Sequence, residues 1–134
     1  MESLIVPDTS AWVEYLRRTG SRADRRLSRL ARSGSGSVMV TEPVLMEVLS
    51  GARSRAEWND LQRLMRAFDF ARIEGPGDWV DAAALQRRMR LAGRTVKSAV
   101  DCLIATIAMR VDAAVLHMDA DFDAIAQHAP LKIA

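Results

Sequence analysis

The chain has 134 residues, of which 49% are hydrophobic and 27% charged, and its formal net charge is +2. This balance is typical of one globular domain over residues 1–134 with a sizeable core, and it excludes a disordered chain. The single cysteine, Cys102, excludes an internal disulfide and suits a reducing compartment. The first apolar run is too short for a signal peptide and no stretch is long enough to span a membrane, so we expect a cytoplasmic protein.

Short apolar strands alternate with helices along the first half of the chain. The pattern predicts a strand over 3–7, a helix over 9–18, a basic helix over 22–32, a flexible loop over 33–37, a strand over 38–40, a helix over 42–50 with Thr41 as its N-cap, and an amphipathic helix over 54–67. Helical spacing places Trp12, Tyr15 and Leu16 on one face of the first helix. The same spacing predicts an inward face for the helix over 54–67, formed by Trp58, Leu61, Leu64 and Met65.

The second half of the chain continues the alternation. It predicts a strand within 68–74, a helix over 76–93, a strongly apolar helix over 98–111, a strand over 113–118, a short helix over 121–127 and a last strand over 131–134. The strands are apolar without polar alternation, as expected for a parallel sheet covered on both faces. The sequence therefore predicts an α/β fold with helices flanking a short sheet.

Aspartates follow two of these predicted strands. Asp8 comes directly after the strand over 3–7, and Asp119 comes directly after the strand over 113–118, with Asp121 two residues further on. In open α/β sheets, ligand sites form beyond the carboxyl ends of the strands. We therefore expect these carboxylates to lie at one edge of the sheet.

Two more acids are unusual for the helices that carry them. Glu47 lies in "EPVLMEVLSGA" and Asp101 lies in "VKSAVDCLIATIAM", where apolar residues surround both. Acids in such runs are rarely buried unless they are paired or bind a metal. Together with the aspartates that follow the strands, they predict a shared acidic site.

Each acid also has an ordinary structural interpretation. Asp8, which a Thr-Ser pair follows, could simply cap the first helix. Asp119 and Asp121 could cap the short helix after them, and we assign Asp123 to the N-terminal turn of that helix. The two acids within apolar helices could face solvent or interact with a helix dipole. Because this interpretation needs several independent coincidences, we favour the shared site.

The residue types around the acids restrict the metal. A calcium EF-hand beginning at Asp119 would need glycine and glutamate where the chain has Ala124 and Pro130. A zinc site is poorly supplied, since one cysteine and the distant His117 and His128 make no ligand set. Carboxylate oxygens suit Mg²⁺ or Mn²⁺. Such a site indicates phosphodiester chemistry, in which the metal polarises the phosphate and activates water.

Basic residues are concentrated in two segments. Residues 17–32 hold seven arginines against one acid, and a second basic run extends from Arg87 to Lys97. Both could be solvated helix faces, but beside an acidic site they favour a nucleic-acid partner. The predicted RNA contacts are Arg17, Arg25, Arg29, Arg94 and Lys97.

Four motifs in order along the chain resemble those of the PIN-domain ribonucleases, and specifically the VapC-type toxins of bacterial toxin–antitoxin pairs. They are "VPDTSAWVEYLR" at 6–17, "TEPVLMEVLSGA" at 41–52, "VDCLIATIA" at 100–108 and "LHMDADFDAIA" at 116–126. The resemblance implies a PIN-like three-layer α/β/α fold with a short, mainly parallel sheet of four to five strands.

The resemblance also implies roles for individual residues. Asp8, Glu47, Asp101 and Asp119 would be catalytic, and Asp8, Asp101, Asp119 and Asp121 would bind Mg²⁺, for which Mn²⁺ can substitute. Ser10 and Glu47 would support the metal ligands. Many relatives carry threonine or serine where this chain has His117, so we expect that histidine to be a structural hydrogen-bond donor rather than a catalyst.

The implied function is a Mg²⁺-dependent ribonuclease toxin that cleaves a structured RNA such as tRNA or rRNA. The implied partners are a second copy of the chain and a cognate VapB-type antitoxin, whose C-terminal segment would cover the active site in a larger assembly, and no membrane is involved. A catalytically inactive binding module with the same fold is one alternative. An aspartate-based phosphatase fits poorly, because it expects Asp-x-Asp where the chain has Asp8-Thr9-Ser10. A receiver domain also fits poorly, because it expects a neighbouring acid and a second aspartate after its third strand.

Overall fold

The computed structural model describes residues 3–34 and 36–134, and within these ranges seven helices alternate with five short strands. In chain order the elements are β1 (Ile5–Pro7), α1 (Thr9–Arg17), α2 (Arg22–Ser33), β2 (Met39–Val40), α3 (Glu42–Ser50), α4 (Arg55–Arg66), β3 (Asp69–Phe70), α5 (Gly75–Leu91), α6 (Ala99–Arg110), β4 (Ala114–Leu116), α7 (Ala120–Ala126) and β5 (Lys132–Ile133). None of these helices combines the length and the apolar character that a membrane span needs.

The strands form a three-stranded sheet, β1-β4-β5, and a two-stranded sheet, β2-β3, which lie side by side at β1. β4 pairs with β1 on one side and with β5 beyond it, and β2 pairs with β3, all in parallel register. A single parallel bridge between Ile5 and Val38 joins β2 to the other side of β1. The Ile5 N–H strengthens this junction by donating to the Ser37 carbonyl at 2.7 Å. The strand order is therefore β3-β2-β1-β4-β5, and the predicted α/β/α fold with a mainly parallel sheet is confirmed.

The helices begin where the sequence supplies caps. The side chains of Ser21, Ser54 and Ser98 accept hydrogen bonds from the first turns of α2, α4 and α6. Such caps each contribute about 1 kcal/mol, because they satisfy peptide N–H groups that have no partner within the helix. Pro43 and Pro76 occupy the first turns of α3 and α5, where a missing N–H has no cost.

The core lies between the sheet and α6. Every residue from Cys102 to Ala108 of α6 is buried, as are Val6 of β1 and Val115 of β4. Trp12 of α1 is fully buried and packs edge-on against Phe68 at 5.3 Å between ring centroids. Each large apolar side chain contributes about 1.5–3 kcal/mol when it is removed from water, so the packing of α6 firmly fixes the helix that carries Asp101.

One expectation about burial was wrong. Trp58 is 43% exposed, although helical spacing placed it on the inward face of its helix. Trp58 lies in the first turn of α4 and lines a surface pocket with the turn before it, whereas Leu61 and Met65 further along the helix are buried. Thr41 is the N-cap residue of α3, as predicted, although its side chain makes no cap hydrogen bond.

The boundaries of strands and loops also differ from the expectation. Of the strand predicted within 68–74, only Asp69–Phe70 pairs, because its partner β2 is two residues long. β4 ends at Leu116, so two loop residues separate it from Asp119. The predicted flexible loop over 33–37 begins inside α2 at Ser33, and its residue 35 lies outside the described residues.

Candidate metal and active site

The topology brings the predicted acids to one edge of the sheet. β1 and β4 are adjacent and parallel, with Pro7 opposite Leu116, so the segments that follow them leave the sheet side by side. The N–H of Asp8 donates to the Leu116 carbonyl at 3.0 Å, which continues the pairing by one residue. Asp8 is the N-cap of α1, and Asp119 is the N-cap of α7. Asp8 and Asp119 are therefore helix N-caps, and they also lie at the same edge of the sheet, as the sequence predicted.

Three of the carboxylates form a tight group. Asp101 in the first turn of α6, Asp119 and Asp121 each place one oxygen so that all three oxygens lie within 4.8 Å of one another. Among the described residues, Asp8 and Glu47 are not part of this tight group. Oxygen donors at such spacing match the ligands that hard divalent cations take in proteins. The cluster is therefore compatible with a bound divalent metal.

The neighbouring carboxylates all affect the ionisation of Asp101. Burial, together with the negative charges of Asp119, Asp8, Asp121 and Glu47, raises the pKa of Asp101 to about 7. A carboxyl whose pKa is raised in this way is destabilised as an anion. The five acids thus share one electrostatic environment, and a divalent cation would relieve their repulsion.

Asp8 is held in place by uncharged donors. It is 3% exposed, and burial raises its pKa although hydrogen bonds from Ser10 and Ala11 oppose the shift. The Ser10 hydroxyl donates to Asp8 Oδ1 at 2.7 Å and accepts the Met118 N–H at 2.8 Å. Ser10 therefore links Asp8 to the loop before Asp119, which is a second way in which the two strand ends are held together.

Glu47 reaches the site from α3 and is oriented by a residue that sequence reasoning missed. The Thr9 hydroxyl donates to Glu47 Oε1 at 2.7 Å across 38 positions in sequence. The only sequence signal for Thr9 was its place directly after Asp8, where a capping role was sufficient to explain it. Glu47 also lines an open groove of about 410 Å³ between α1, α3 and α4, together with Arg17 and Arg53. Arg53 was not predicted as a site residue.

His117 contacts the segment that carries the acids. Its Nδ1 accepts the Asp119 N–H at 3.0 Å, and its Nε2 lies 3.1 Å from Asp123 Oδ1. The ring thus makes hydrogen bonds at both nitrogens, and its assignment as a structural residue rather than a catalyst stays a prediction. Asp123 lies in the first turn of α7, as predicted, and it also binds the His117 ring.

The predicted RNA contacts divide into two groups. Arg17 lines the groove beside Glu47, and the N–H of Lys97 donates to Asp121 Oδ2 at 3.1 Å, so both lie at the edge of the acidic site. Arg94, near Lys97, donates to Gln127 at 2.8 Å. Arg25 donates to the Gly20 carbonyl at 2.8 Å, and Arg29 is exposed on α2. The structure thus brings Arg17 and the segment with Arg94 and Lys97 near acidic residues, but gives no such contact for Arg25 or Arg29.

Comparisons with known proteins support the resemblance. Residues 5–127 match the family model of the PIN domain. The chain is 42% identical over 131 residues to a VapC ribonuclease of Mycobacterium bovis and to Ribonuclease VapC11 of Mycobacterium tuberculosis, with 98% of each chain covered. Among solved structures, a DNA-bound VapBC from Salmonella typhimurium is similar in fold, with a TM-score of 0.75, 15% identity, and 99% of this chain and 98% of that chain covered.

Proposed function

The chain belongs to the PIN-domain family, and we propose that it is a Mg²⁺-dependent endoribonuclease that acts as the toxin of a toxin–antitoxin pair. The observation that carries the proposal is the group of Asp101, Asp119 and Asp121 oxygens within 4.8 Å of one another. Asp8 and Glu47 add their charge to the same site. Relatives that are 42% identical over nearly the whole chain are ribonucleases by name, which supports RNA as the substrate.

The donor set fits a hard divalent cation. Asp101, Asp119 and Asp121 would hold it, with Asp8 beside them at the end of β1. Bound Mg²⁺, or Mn²⁺ in its place, would supply a Lewis acid for the scissile phosphate and lower the pKa of a water molecule. The raised pKa of Asp101 marks the carboxylate that most needs a counter-charge.

The surrounding residues orient the acids for this task. Ser10 and the Ala11 N–H bind one oxygen of Asp8, and Thr9 binds one oxygen of Glu47. Positioned carboxylates of this kind lower the reorganisation that a reaction must undergo when charge develops. In this proposal the second oxygen of Glu47 accepts a proton from the attacking water. The P–O bond to the leaving ribose oxygen breaks, and that oxygen takes up a proton from solvent.

The partners follow from the same proposal. Arg17, Arg94 and Lys97 contact RNA phosphates at the edge of the site, and the substrate is a structured RNA such as tRNA or rRNA in the cytoplasm. A VapB-type antitoxin silences the site, and the toxin forms a homodimer within that assembly. The support for the antitoxin is that similar folds occur in structures described as VapBC complexes, from Salmonella typhimurium and from Rickettsia felis, where the TM-score is 0.72.

Sequencing of RNA ends after controlled expression tests the proposal. We expect new 5′ ends at a small number of RNA positions with the wild-type chain and none with Asp101→Asn, which keeps the size of the side chain but not its charge. The purified wild-type protein should produce the same ends with Mg²⁺ and lose activity in chelator. Equal cleavage by the wild type and Asp101→Asn would overturn the proposal, as would wild-type cleavage that is unchanged in the presence of chelator. A wild-type protein that binds RNA without cutting it would indicate the inactive binding module instead.

A further inference from the structure

The side chain of His117 joins the two ends of the segment that carries Asp119 and Asp121. The peptide N–H of Asp119 donates to His117 Nδ1 at 3.0 Å. Because a peptide N–H can only donate, Nδ1 is unprotonated and the ring proton lies on Nε2. Nε2 lies 3.1 Å from Asp123 Oδ1 and therefore donates to that carboxylate. One ring thus binds the N-cap of α7 with one nitrogen and its first turn with the other.

The surroundings of the ring hold it in this orientation. The His117 side chain is 8% exposed, and the ring packs on Phe122 with 5.4 Å between ring centroids. Phe122 is itself fully buried. Rotation of the ring would break both hydrogen bonds and leave a largely buried polar atom without its partner, which is costly in a protein interior. The ring therefore restrains the segment over 117–123.

The acids on this segment need such a restraint. α7 is seven residues long, and helices much shorter than about 12 residues are not stable by themselves in water. Asp119 and Asp121 also lie within 4.8 Å of Asp101, so their charges repel that carboxylate. A segment free to move would relax by separating the acids, and the three oxygens would no longer fit one cation.

We propose that His117 and Asp123 are positioning residues that act through the backbone of Asp119 to set the affinity of the acidic site for a divalent cation. The inference rests on the proposed function, since it requires that the acids bind a cation. His117 touches Asp119 through its peptide N–H, and Asp123 holds the ring that makes this contact. Partners that orient metal ligands in this way commonly change metal affinity by about 10- to 100-fold when they are removed.

Two substitutions of His117 separate its two hydrogen bonds. In His117→Asn, the amide oxygen takes the place of Nδ1 and accepts from Asp119, while the contact with Asp123 is lost. In His117→Gln, the longer amide reaches Asp123, but no acceptor remains near the Asp119 N–H. Titration with Mn²⁺ alone, followed by electron paramagnetic resonance of the free ion, measures the dissociation constant. We expect it to rise about 10- to 100-fold in His117→Gln and by less than about threefold in His117→Asn.

Asp123 provides an independent pair of variants. Asp123→Asn keeps an oxygen that accepts from Nε2 and should bind Mn²⁺ like the wild type. Asp123→Ala removes that acceptor, and the Mn²⁺ dissociation constant should rise by about threefold to tenfold because the ring orientation is lost. RNA cleavage by His117→Gln should return to within about threefold of the wild-type kcat at saturating Mn²⁺, since the catalytic carboxylates are intact.

The outcomes separate this inference from the proposed function. Equal Mn²⁺ affinity in the wild type and His117→Gln, while the wild type binds Mn²⁺ and cleaves RNA, overturns the inference alone. Equal loss of affinity in His117→Asn and His117→Gln, with equal decreases in the melting temperature of the metal-free protein, reduces His117 to a packing role and also overturns it. A wild-type protein that binds no Mn²⁺ overturns the inference together with the proposed function.

Discussion

Asp8 and Asp78 are equally buried, at 3% exposure each, but they have opposite electrostatic environments. Burial raises the pKa of Asp8, and hydrogen bonds from Ser10 and Ala11 only partly oppose it. Burial also acts on Asp78, but hydrogen bonds from Arg110 and Glu74 and the charge of Arg110 hold the pKa of that carboxyl below its usual range. The two aspartates show that burial by itself does not decide whether a carboxylate is stable as an anion.

The partners of the two aspartates explain the difference. Arg110 Nε and a terminal guanidinium nitrogen each lie 3.0 Å from an oxygen of Asp78, and the same guanidinium binds the Arg72 carbonyl and pairs with Glu74 at 3.1 Å. This network ties the C-terminal end of α6 to the N-terminal end of α5. Asp8 instead lies near Asp101 and receives only uncharged donors from its own helix. One carboxylate stabilises the fold, and the other belongs to a cluster that is destabilised unless a cation binds.

Removal of Arg110 should have the largest effect on stability. Arg110→Ala leaves Asp78 buried without its counter-charge, so we expect a loss of about 3–5 kcal/mol in the free energy of unfolding, measured by urea denaturation. RNA cleavage below the melting temperature should be unchanged. Arg63→Ala is the matched control, because its pair with Asp60 is more than 70% exposed on both sides and contributes less than about 1 kcal/mol. Similar losses in both variants would contradict this account of Asp78.

Neutralisation within the acidic site should act on catalysis instead. Asp101→Asn should fold like the wild type, because asparagine has nearly the same shape, and its metal-free form should be at least as stable since repulsion is reduced. RNA cleavage should decrease by about 10²- to 10³-fold, equivalent to about 2.7–4 kcal/mol of transition-state stabilisation. Asp123→Asn, measured beside it under identical Mg²⁺, should retain most activity. Equal activity in the two folded variants would overturn the site assignment.

The pH dependence of stability should have opposite signs for the two kinds of aspartate. Asp101 has a pKa of about 7 in the folded metal-free protein against an ordinary value of 3.8, so the folded state binds this proton more tightly. Stability should therefore fall as the pH rises from about 4 to about 7. The lowered pKa of Asp78 contributes stability that is present at neutral pH and lost as the pH falls below the ordinary value of 3.8.

Cation binding provides the control for this pH dependence. At a hundredfold excess over its dissociation constant, Mn²⁺ should add about 2.7 kcal/mol near pH 8, and less near pH 5, where protons compete for Asp101. Denaturation curves with and without Mn²⁺ at these two pH values measure both effects. If the stability of the metal-free protein does not change across this pH range, the acids do not share one site. The same conclusion follows if saturating Mn²⁺ leaves the melting temperature unchanged.

The smallest effects should come from the arginines outside the acidic cluster. Arg17→Gln and Arg94→Gln should each weaken RNA binding and reduce the slope of log affinity against log salt by about 0.7, the value for one contact with a single strand. Arg25→Gln should change the slope less, because Arg25 lies on α2 and, within the part of the chain that the structure describes, has no contact near the acidic site. An unchanged slope in the first two variants would exclude them as phosphate contacts.

The amino-acid sequence was sufficient to predict the order and type of nearly all elements, the family, and which acids to examine. Apolar runs, caps and prolines act within a few residues, so they mark α1, α3 and α6 without reference to the rest of the chain. The four motifs also place Asp8, Glu47, Asp101 and Asp119 in order, and the PIN-domain match confirms the resemblance on which that assignment depends. Their catalytic and metal-binding roles remain predictions.

Which of these groups contact one another depends on the tertiary fold. Thr9 reaches Glu47 across 38 positions, Arg110 reaches Asp78 across 32, and Lys97 reaches Asp121 across 24. No local pattern encodes such contacts, because they depend on how the helices pack around the sheet. The same packing decided that Asp101, Asp119 and Asp121 form the tight group while Asp8 and Glu47 lie beside it. Buried aspartates look alike in a sequence, and the charges that the fold places around each one determine whether it stabilises the protein or forms the site.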